Sequence, residues 1–176
     1  MITVNDSVLV LIDIQEKLVN MLNKPEPVVE ATSKLLAAAN IMEIPVVLTE
    51  QYPQGLGQTV LPLNERNMVV EKTSFSAVQE PDFISKLKEL NCKNFILGGI
   101  ETHICVYQTA IELMENGFNV VVAKDACASR SKDCFKVGLS LMEKGGALIS
   151  NVETILFELL RGSKNPSFRQ VQALIK

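Results

Sequence analysis

Six short segments of this chain are apolar nearly throughout and rich in β-branched residues: SVLVLID at 7–13, IPVVLTE at 44–50, NMVVEK at 67–72, NFILGG at 94–99, NVVVAK at 119–124 and ALIS at 147–150. A strand without polar alternation has no face to show to water, so SVLVLID and NFILGG read as buried on both sides, the condition of strands in a parallel sheet. Parallel neighbours cannot be joined by tight turns; each needs a crossover, usually a helix. Helical patterns do lie between the runs. Val28, Leu35, Leu36, Ala39 and Met42 share one face of a helix over 28–42 that Pro45 terminates, and Gln79–Leu90 opens with Pro81 near its first turn. Further helices are expected from about Thr102 to Asn116, stopped by Gly117, over Ser131–Lys144, over Val152–Leu160, and in a short terminal piece within Asn165–Lys176. The predicted fold is an α/β three-layer αβα sandwich with a six-stranded parallel sheet, Rossmann-like in layout. Gln51–Leu63, with Pro53, Gly55, Gly57 and Pro62, reads as a long loop. No repeat, low-complexity tract or linker divides the chain, so one domain over 1–176 is expected.

The remaining bulk properties mainly exclude. With 47% hydrophobic and 21% charged residues, disorder, collagen and coiled coil are disfavoured. The net charge is −3 and the basic residues are scattered, which argues against a nucleic-acid partner. The longest purely apolar runs, such as Val8–Ile12, are five residues, against the ~20 that span a bilayer, and no basic n-region precedes a cleavage site. A cytoplasmic protein with no membrane partner is expected. Cys92, Cys105, Cys127 and Cys134 form no C-x-x-C pair and no metal-like cluster, so four free thiols are expected. The single histidine, His103, excludes a multi-histidine metal site, and neither G-x-G-x-x-G nor G-x-x-x-x-G-K-[ST] occurs. No cofactor and no metal are expected.

In open parallel sheets ligands bind outside the carboxyl ends of the strands, near the point where strand order reverses. The strand ends are therefore the shortlist: Asp13, Thr49 and Glu50, Glu71 and Lys72, Gly98 to Cys105, and Asp125 to Ser129. Asp13 follows five apolar residues and should be desolvated unless a cation pairs with it; a helix cap or a structural ion pair is its bland alternative. Lys72 taken alone could be an ordinary charge at a strand end. Cys105 is the most informative, because GGIETHIC places a thiol in the first turn of a helix after two glycines. A helix N-terminus and a neighbouring lysine both lower a thiol's pKa, so an activated Cys105 is expected. Cys92, Cys127 and Cys134 read as packing residues. His103 stands two positions from Cys105, on a different helix face, so a Cys-His dyad is poorly set up and a structural or wall role is expected for it.

These residues fall within five ordered segments that resemble the isochorismatase-like cysteine hydrolases: VLVLIDIQEKL at 8–18, VVLTEQYPQGLGQT at 46–59, VVEKTSFSA at 69–77, GGIETHICVYQTAIEL at 98–113 and NVVVAKDACASR at 119–130. EQYPQGLG and GIETHICV look most like the isochorismatase-domain-containing subgroup. The resemblance implies the isochorismatase-like hydrolase fold and a catalytic Asp13, Lys72 and Cys105. It also implies a cis peptide at Ile100-Glu101, an oxyanion hole from the backbone N–H groups of Glu101 and Cys105, and a homo-oligomer: dimer, tetramer or larger. The chain departs from the family's nicotinamidases, which hold a metal with an Asp and several His after the second strand, since TEQYPQGLGQT contains neither. It departs from isochorismatases proper by having Cys105 where they have another residue.

The expected function is metal-independent hydrolysis of a small amide or related carbon-nitrogen bond through a thioester. Cys105 is the nucleophile, Asp13 the general base and acid, and Lys72 the electrostatic activator. Gln15, Tyr52 and Phe75 are candidate pocket residues for the small-molecule substrate, with core or loop packing as the alternative. Two rival readings are a non-catalytic binding or scaffold protein that retains the fold, and a redox sensor, which would need a resolving cysteine that no C-x-x-C supplies.

Overall fold

The structure, a computed structural model, describes all residues from Met1 to Lys176. Six strands, β1 (Ser7–Ile12), β2 (Val46–Gln51), β3 (Met68–Lys72), β4 (Asn94–Ile100), β5 (Asn119–Ala128) and β6 (Leu148–Ser150), form one sheet in the order β3-β2-β1-β4-β5-β6. Every neighbouring pair is parallel. All six residues of β1 are buried because the strand lies mid-sheet with helices on both sides.

Side chains alternate across a strand, so each run feeds two cores. Leu9, Leu11, Val46, Leu48 and Ile96 point one way, against Leu35, Leu36 and Ala39 of helix α2 (Glu26–Ile41) and Ile155, Leu156 and Leu159 of helix α7 (Val152–Leu160). Val8, Val10, Val47, Phe95 and Leu97 point the other way. They pack against Phe83 and Leu87 of α4 (Pro81–Leu90), Ala110 and Leu113 of α5 (Tyr107–Glu115) and Met142 of α6 (Lys132–Lys144). Burying an aliphatic or aromatic side chain of this size contributes ~1.5 to 3 kcal/mol, so the double core is the main reason the strands hold together. The expected αβα sandwich is therefore the observed one. No helix is long and apolar enough to cross a membrane.

Three differences from the expected elements have physical causes. A short helix α1 (Glu16–Asn20) follows β1, and the segment read as a loop contains the single helical turn α3 (Pro53–Leu56), opened by its proline. Strand β5 runs on to Ala128, because the β4–β5 register shifts between Leu97 and Gly99 and pairing resumes at Gly99 with Cys127 and Ile100 with Ala128. The bulge so formed lets Lys124 and Asp125 stay in solvent, which is why the apolar run ended early in sequence. The helix expected from Thr102 begins as a wide π-helical turn over Thr102–Val106 before α5. The caps elsewhere follow the sequence: Ser131 accepts from the Cys134 N–H, Asn151 from the Thr154 N–H, and Gly117 ends its helix at φ 84°. The terminal helix α8 is confined to Phe168–Ala173.

Candidate active site

The strand order reverses between β1 and β4, and three strands leave their carboxyl ends there through residues in the left-handed region: Asp13 (φ 56°) after β1, Tyr52 (φ 37°) after β2 and Glu101 (φ 59°) after β4. None is glycine, and each such conformation costs of order 1 to 3 kcal/mol. Strain of this kind persists where the surroundings fix the backbone, and here it turns three chains sharply at one edge of the sheet. The cis peptide implied by the resemblance at Ile100-Glu101 is corrected: no cis bond occurs, and at the turn leading to Cys105 the sharp reversal is carried by the dihedral angles of Glu101 instead.

Asp13 is fully buried. Its Oδ1 accepts a hydrogen bond from the Thr49 hydroxyl at 2.6 Å, and its Oδ2 lies 2.9 Å from Lys72 Nζ, with both side chains inaccessible to solvent. Oδ2 accepts no hydrogen bond besides that ion pair, and the Cys105 thiol lies close enough to Asp13 for each to influence the other. Lys72 comes from the edge strand β3, whose alternating burial turns Val70 and Lys72 inward. Its ammonium also donates to Gln51 Oε1 at 2.5 Å, the Phe75 carbonyl at 3.1 Å and the Ser74 carbonyl at 3.2 Å. The turn supplying those carbonyls is held by Glu80, whose Oε1 accepts from the N–H groups of Thr73 and Ser74 and from the Ser74 hydroxyl. The Ser74 hydrogen bonds hold the Glu80 carboxyl below its ordinary range.

The three residues singled out from strand ends 59 and 33 positions apart are thus brought together. Their protonation differs from the expectation. Burial raises the Asp13 carboxyl, with Lys72 and then Thr49 pulling the other way. Burial first, and the nearby Asp13 carboxylate second, push the Cys105 thiol up to about 12, and Lys72 offsets only part of this. The expected lowering of the Cys105 thiol is opposed here by its burial and by the Asp13 carboxyl, both of which favour the neutral form. The N-terminal position, the lysine and the neighbouring carboxyl were legible in sequence; the desolvation of the thiol was not.

Around Cys105 the π-turn is fastened on both sides. The Thr102 hydroxyl donates to the Ala128 carbonyl at 2.9 Å, and Gly138 of α6 lies so close that a Cβ there would sit 2.7 Å from the Thr102 carbonyl group. The Glu101 carboxylate, almost buried, takes two hydrogen bonds from the Arg130 guanidinium at 3.0 and 3.1 Å and one from the Arg130 N–H at 3.1 Å. His103 bridges Ser129 Oγ (3.1 Å) and approaches Glu101 (3.6 Å), the structural role expected of it. Sequence reading missed Glu101's side chain, because only its backbone was considered, and nothing in the spacing ties it to Arg130.

The candidate pocket residues separate. Tyr52 and Phe75 are just over half exposed and flank Lys72 by their backbones, the Tyr52 N–H donating to the Lys72 carbonyl. Gln15 is fully buried and its amide is committed to backbone: Nε2 donates to the carbonyls of Gln51 (3.0 Å) and Gly57 (2.7 Å), and Oε1 accepts from the Gln51 N–H (2.7 Å). It stands behind the site, tying the end of β2 to the 51–63 segment. Cys127 is buried in the sheet and also pushed up to about 12; Cys92 is buried and raised, and Cys134 lies half-buried on α6. All four cysteines are free thiols. No three His, Cys, Asp or Glu side chains converge to hold a metal ion.

Fold and site together define an α/β protein with Asp13, Lys72 and Cys105 buried at the topological switch point of a parallel sheet. The isochorismatase domain matches residues 7–154. Isochorismatase domain-containing protein 2 of Rattus norvegicus is 38% identical over 175 residues, covering 97% of this chain and 81% of the rat protein. Among solved structures, that of MAR1 ribonuclease from Caenorhabditis elegans superposes with a TM-score of 0.92 at 38% identity, over 99% of this chain and 91% of that one. The ycaC gene product of Escherichia coli, described as an octameric hydrolase of unknown specificity, shares the fold at 22% identity and a TM-score of 0.85, over 98% and 94% of the two chains. The chain belongs to the isochorismatase family.

Proposed function

We propose that this protein hydrolyses a small amide or a related carbon-nitrogen bond next to a carbonyl, through a thioester on Cys105. The observation that carries the reading is the buried Asp13–Lys72 pair, whose Oδ2 accepts nothing besides the ammonium, with the Cys105 thiol interacting with both residues. Cys105 sulfur attacks the carbonyl carbon as its proton passes to Asp13 Oδ2, so the thiol need not be ionised in advance; the raised carboxyl is the better matched acceptor for such a transfer. Lys72 keeps its charge and favours the negative sulfur as it forms. The N–H groups of Glu101 and Cys105 are the donors assigned to the tetrahedral oxyanion, at ~3 to 4 kcal/mol for each well-placed donor. Collapse breaks the carbon-nitrogen bond, and Asp13 returns the proton to the departing ammonia or amine. Water, losing its proton to Asp13, then attacks the thioester carbon and releases the acid and the thiol. Tyr52 and Phe75 serve as apolar walls at the mouth.

No metal or cofactor enters this scheme. The name of the Caenorhabditis elegans relative raises RNA, but a chain of net charge −3 with scattered basic residues favours a small neutral substrate. Assembly into a homo-oligomer and a cytoplasmic location accompany the proposal. The test is a panel of small amides, carbamates and N-carbamoyl compounds scored for ammonia release. Turnover abolished in Cys105→Ala supports the reading; turnover undiminished in that variant, or absent across the panel while RNA is cleaved, overturns it.

A further inference from the structure

Gln51 is a neutral side chain pressed against the charged pair, and the scheme above gives it no part. It ends β2 and is fixed at four points: its N–H and carbonyl are both held by the Gln15 amide, its Nε2 donates to the Thr73 carbonyl at 2.9 Å, and its Oε1 accepts from Lys72 Nζ. The Lys72 ammonium has three N–H groups. Within 3.2 Å it meets four acceptors: Asp13 Oδ2, Gln51 Oε1 and the carbonyls of Ser74 and Phe75. At rest, one acceptor is surplus. Once Asp13 Oδ2 carries a proton it is no longer a good acceptor, and the remaining three match the three N–H groups one to one.

We propose that Gln51 is a positioning residue that keeps the buried Lys72 ammonium fully hydrogen-bonded while Asp13 holds the thiol's proton, and so permits that proton to leave Cys105. The inference rests on the reading of Cys105 as the nucleophile. Without the Gln51 oxygen, the resting ammonium would still be satisfied by Asp13, Ser74 and Phe75. Only the proton-transferred state would strand a buried N–H, and a stranded buried donor is costly. A carboxylate at this position could also accept, but it would set a second negative charge against the Lys72 ammonium, weaken that cation's pull on the sulfur and favour the neutral thiol. A neutral amide avoids that.

The experiment follows alkylation of Cys105 in the full-length chain by iodoacetamide, site by site with peptide mass measurement, between pH 7 and pH 10. Gln51→Leu, which fills the space without an acceptor, should label Cys105 more slowly by a factor of about ten or more. Gln51→Glu, which keeps the acceptor and adds charge, should displace the pH profile upward. Cys92 and Cys127, both buried, report on the fold: they should label as slowly as in the unaltered protein. If Gln51→Leu is folded by that criterion and labels Cys105 at the original rate and pH dependence, the proposal is overturned. If Gln51→Leu opens the structure, Gln51→Glu decides, and an unchanged profile there overturns it. No substrate is needed, so the outcome is separable from the ammonia assay: normal labelling in Gln51→Leu with turnover lost in Cys105→Ala removes Gln51's role and leaves the hydrolase reading in place.

Discussion

Replacing Lys72 by methionine removes the only cation paired with a fully buried carboxylate. The side chains of both partners have no solvent-accessible surface and lie 2.9 Å apart, so water cannot enter to compensate without opening the site. Breaking a buried pair from one side costs ~3 to 5 kcal/mol, a large share of the ~5 to 15 kcal/mol that holds a domain together. The protein has one route of relief. Burial already raises the Asp13 carboxyl, and Lys72 is the largest influence holding it down, so in Lys72→Met the carboxyl moves up further and takes a proton. A carboxyl raised on folding contributes stability that is present at low pH and lost as pH rises through its folded value. The deficit of Lys72→Met relative to the unaltered protein should therefore be smaller at pH 5 than at pH 8. Asp13→Asn combined with Lys72→Met strands no charge and should recover at least half of the loss. Urea unfolding followed by circular dichroism at both pH values measures all three quantities. A loss below ~1 kcal/mol that is equal at both pH values and additive in the double variant would refute a buried, ionised pair.

Three more outcomes follow from the same geometry. The Cys105 and Cys127 thiols are pushed from an ordinary 9.0 up to about 12, so the native protein retains two protons that the unfolded chain releases. Stability should be full below pH 9 and fall as the pH rises above it; urea midpoints at pH 8 and pH 10 check this, and Cys127→Ala should make the fall shallower. Arg130→Ala leaves the nearly buried Glu101 carboxylate without its guanidinium; because the arginine side chain is 58% exposed the cost is screened to ~1 to 2 kcal/mol, read as a lowered melting temperature that Glu101→Gln largely restores. Gly138→Ala places a methyl group 2.7 Å from the Thr102 carbonyl group, so it should cost ~1 to 3 kcal/mol and, by displacing the turn that carries Cys105, lower kcat on any substrate found more than it raises KM.

The sheet was legible in sequence because its central strands β1 and β4 are buried on both faces, and because Pro45, Pro81 and Gly117 mark helix boundaries that no tertiary contact overrides. The meeting of Asp13, Lys72 and Cys105 was legible for a topological reason: parallel strands all end at the same edge. What surrounds them was not. Thr49, already on the strand-end shortlist, and Gln51, which was not, hold Asp13 and Lys72 respectively; alternation along the end of β2 puts them on one face, a signal that separates them from the shortlisted Glu50 between them. Gln15 looked like a pocket residue because it adjoins Asp13, yet its amide is spent on the backbone of Gln51 and Gly57. The burial that pushes the Cys105 thiol up was not legible, because position along a chain reveals a helix terminus and a lysine but not how much water the fold removes.

The most direct measurement is of the covalent intermediate. Once a turned-over amide is found, the full-length protein is mixed with it, quenched in acid within the first turnovers, and the peptide containing Cys105 is weighed. The account predicts an added mass equal to the acyl group on Cys105, appearing before the acid product and accumulating little in Asp13→Asn, where the proton has no acceptor. Steady turnover in which Cys105 never gains that mass, with activity surviving Cys105→Ala, would contradict it.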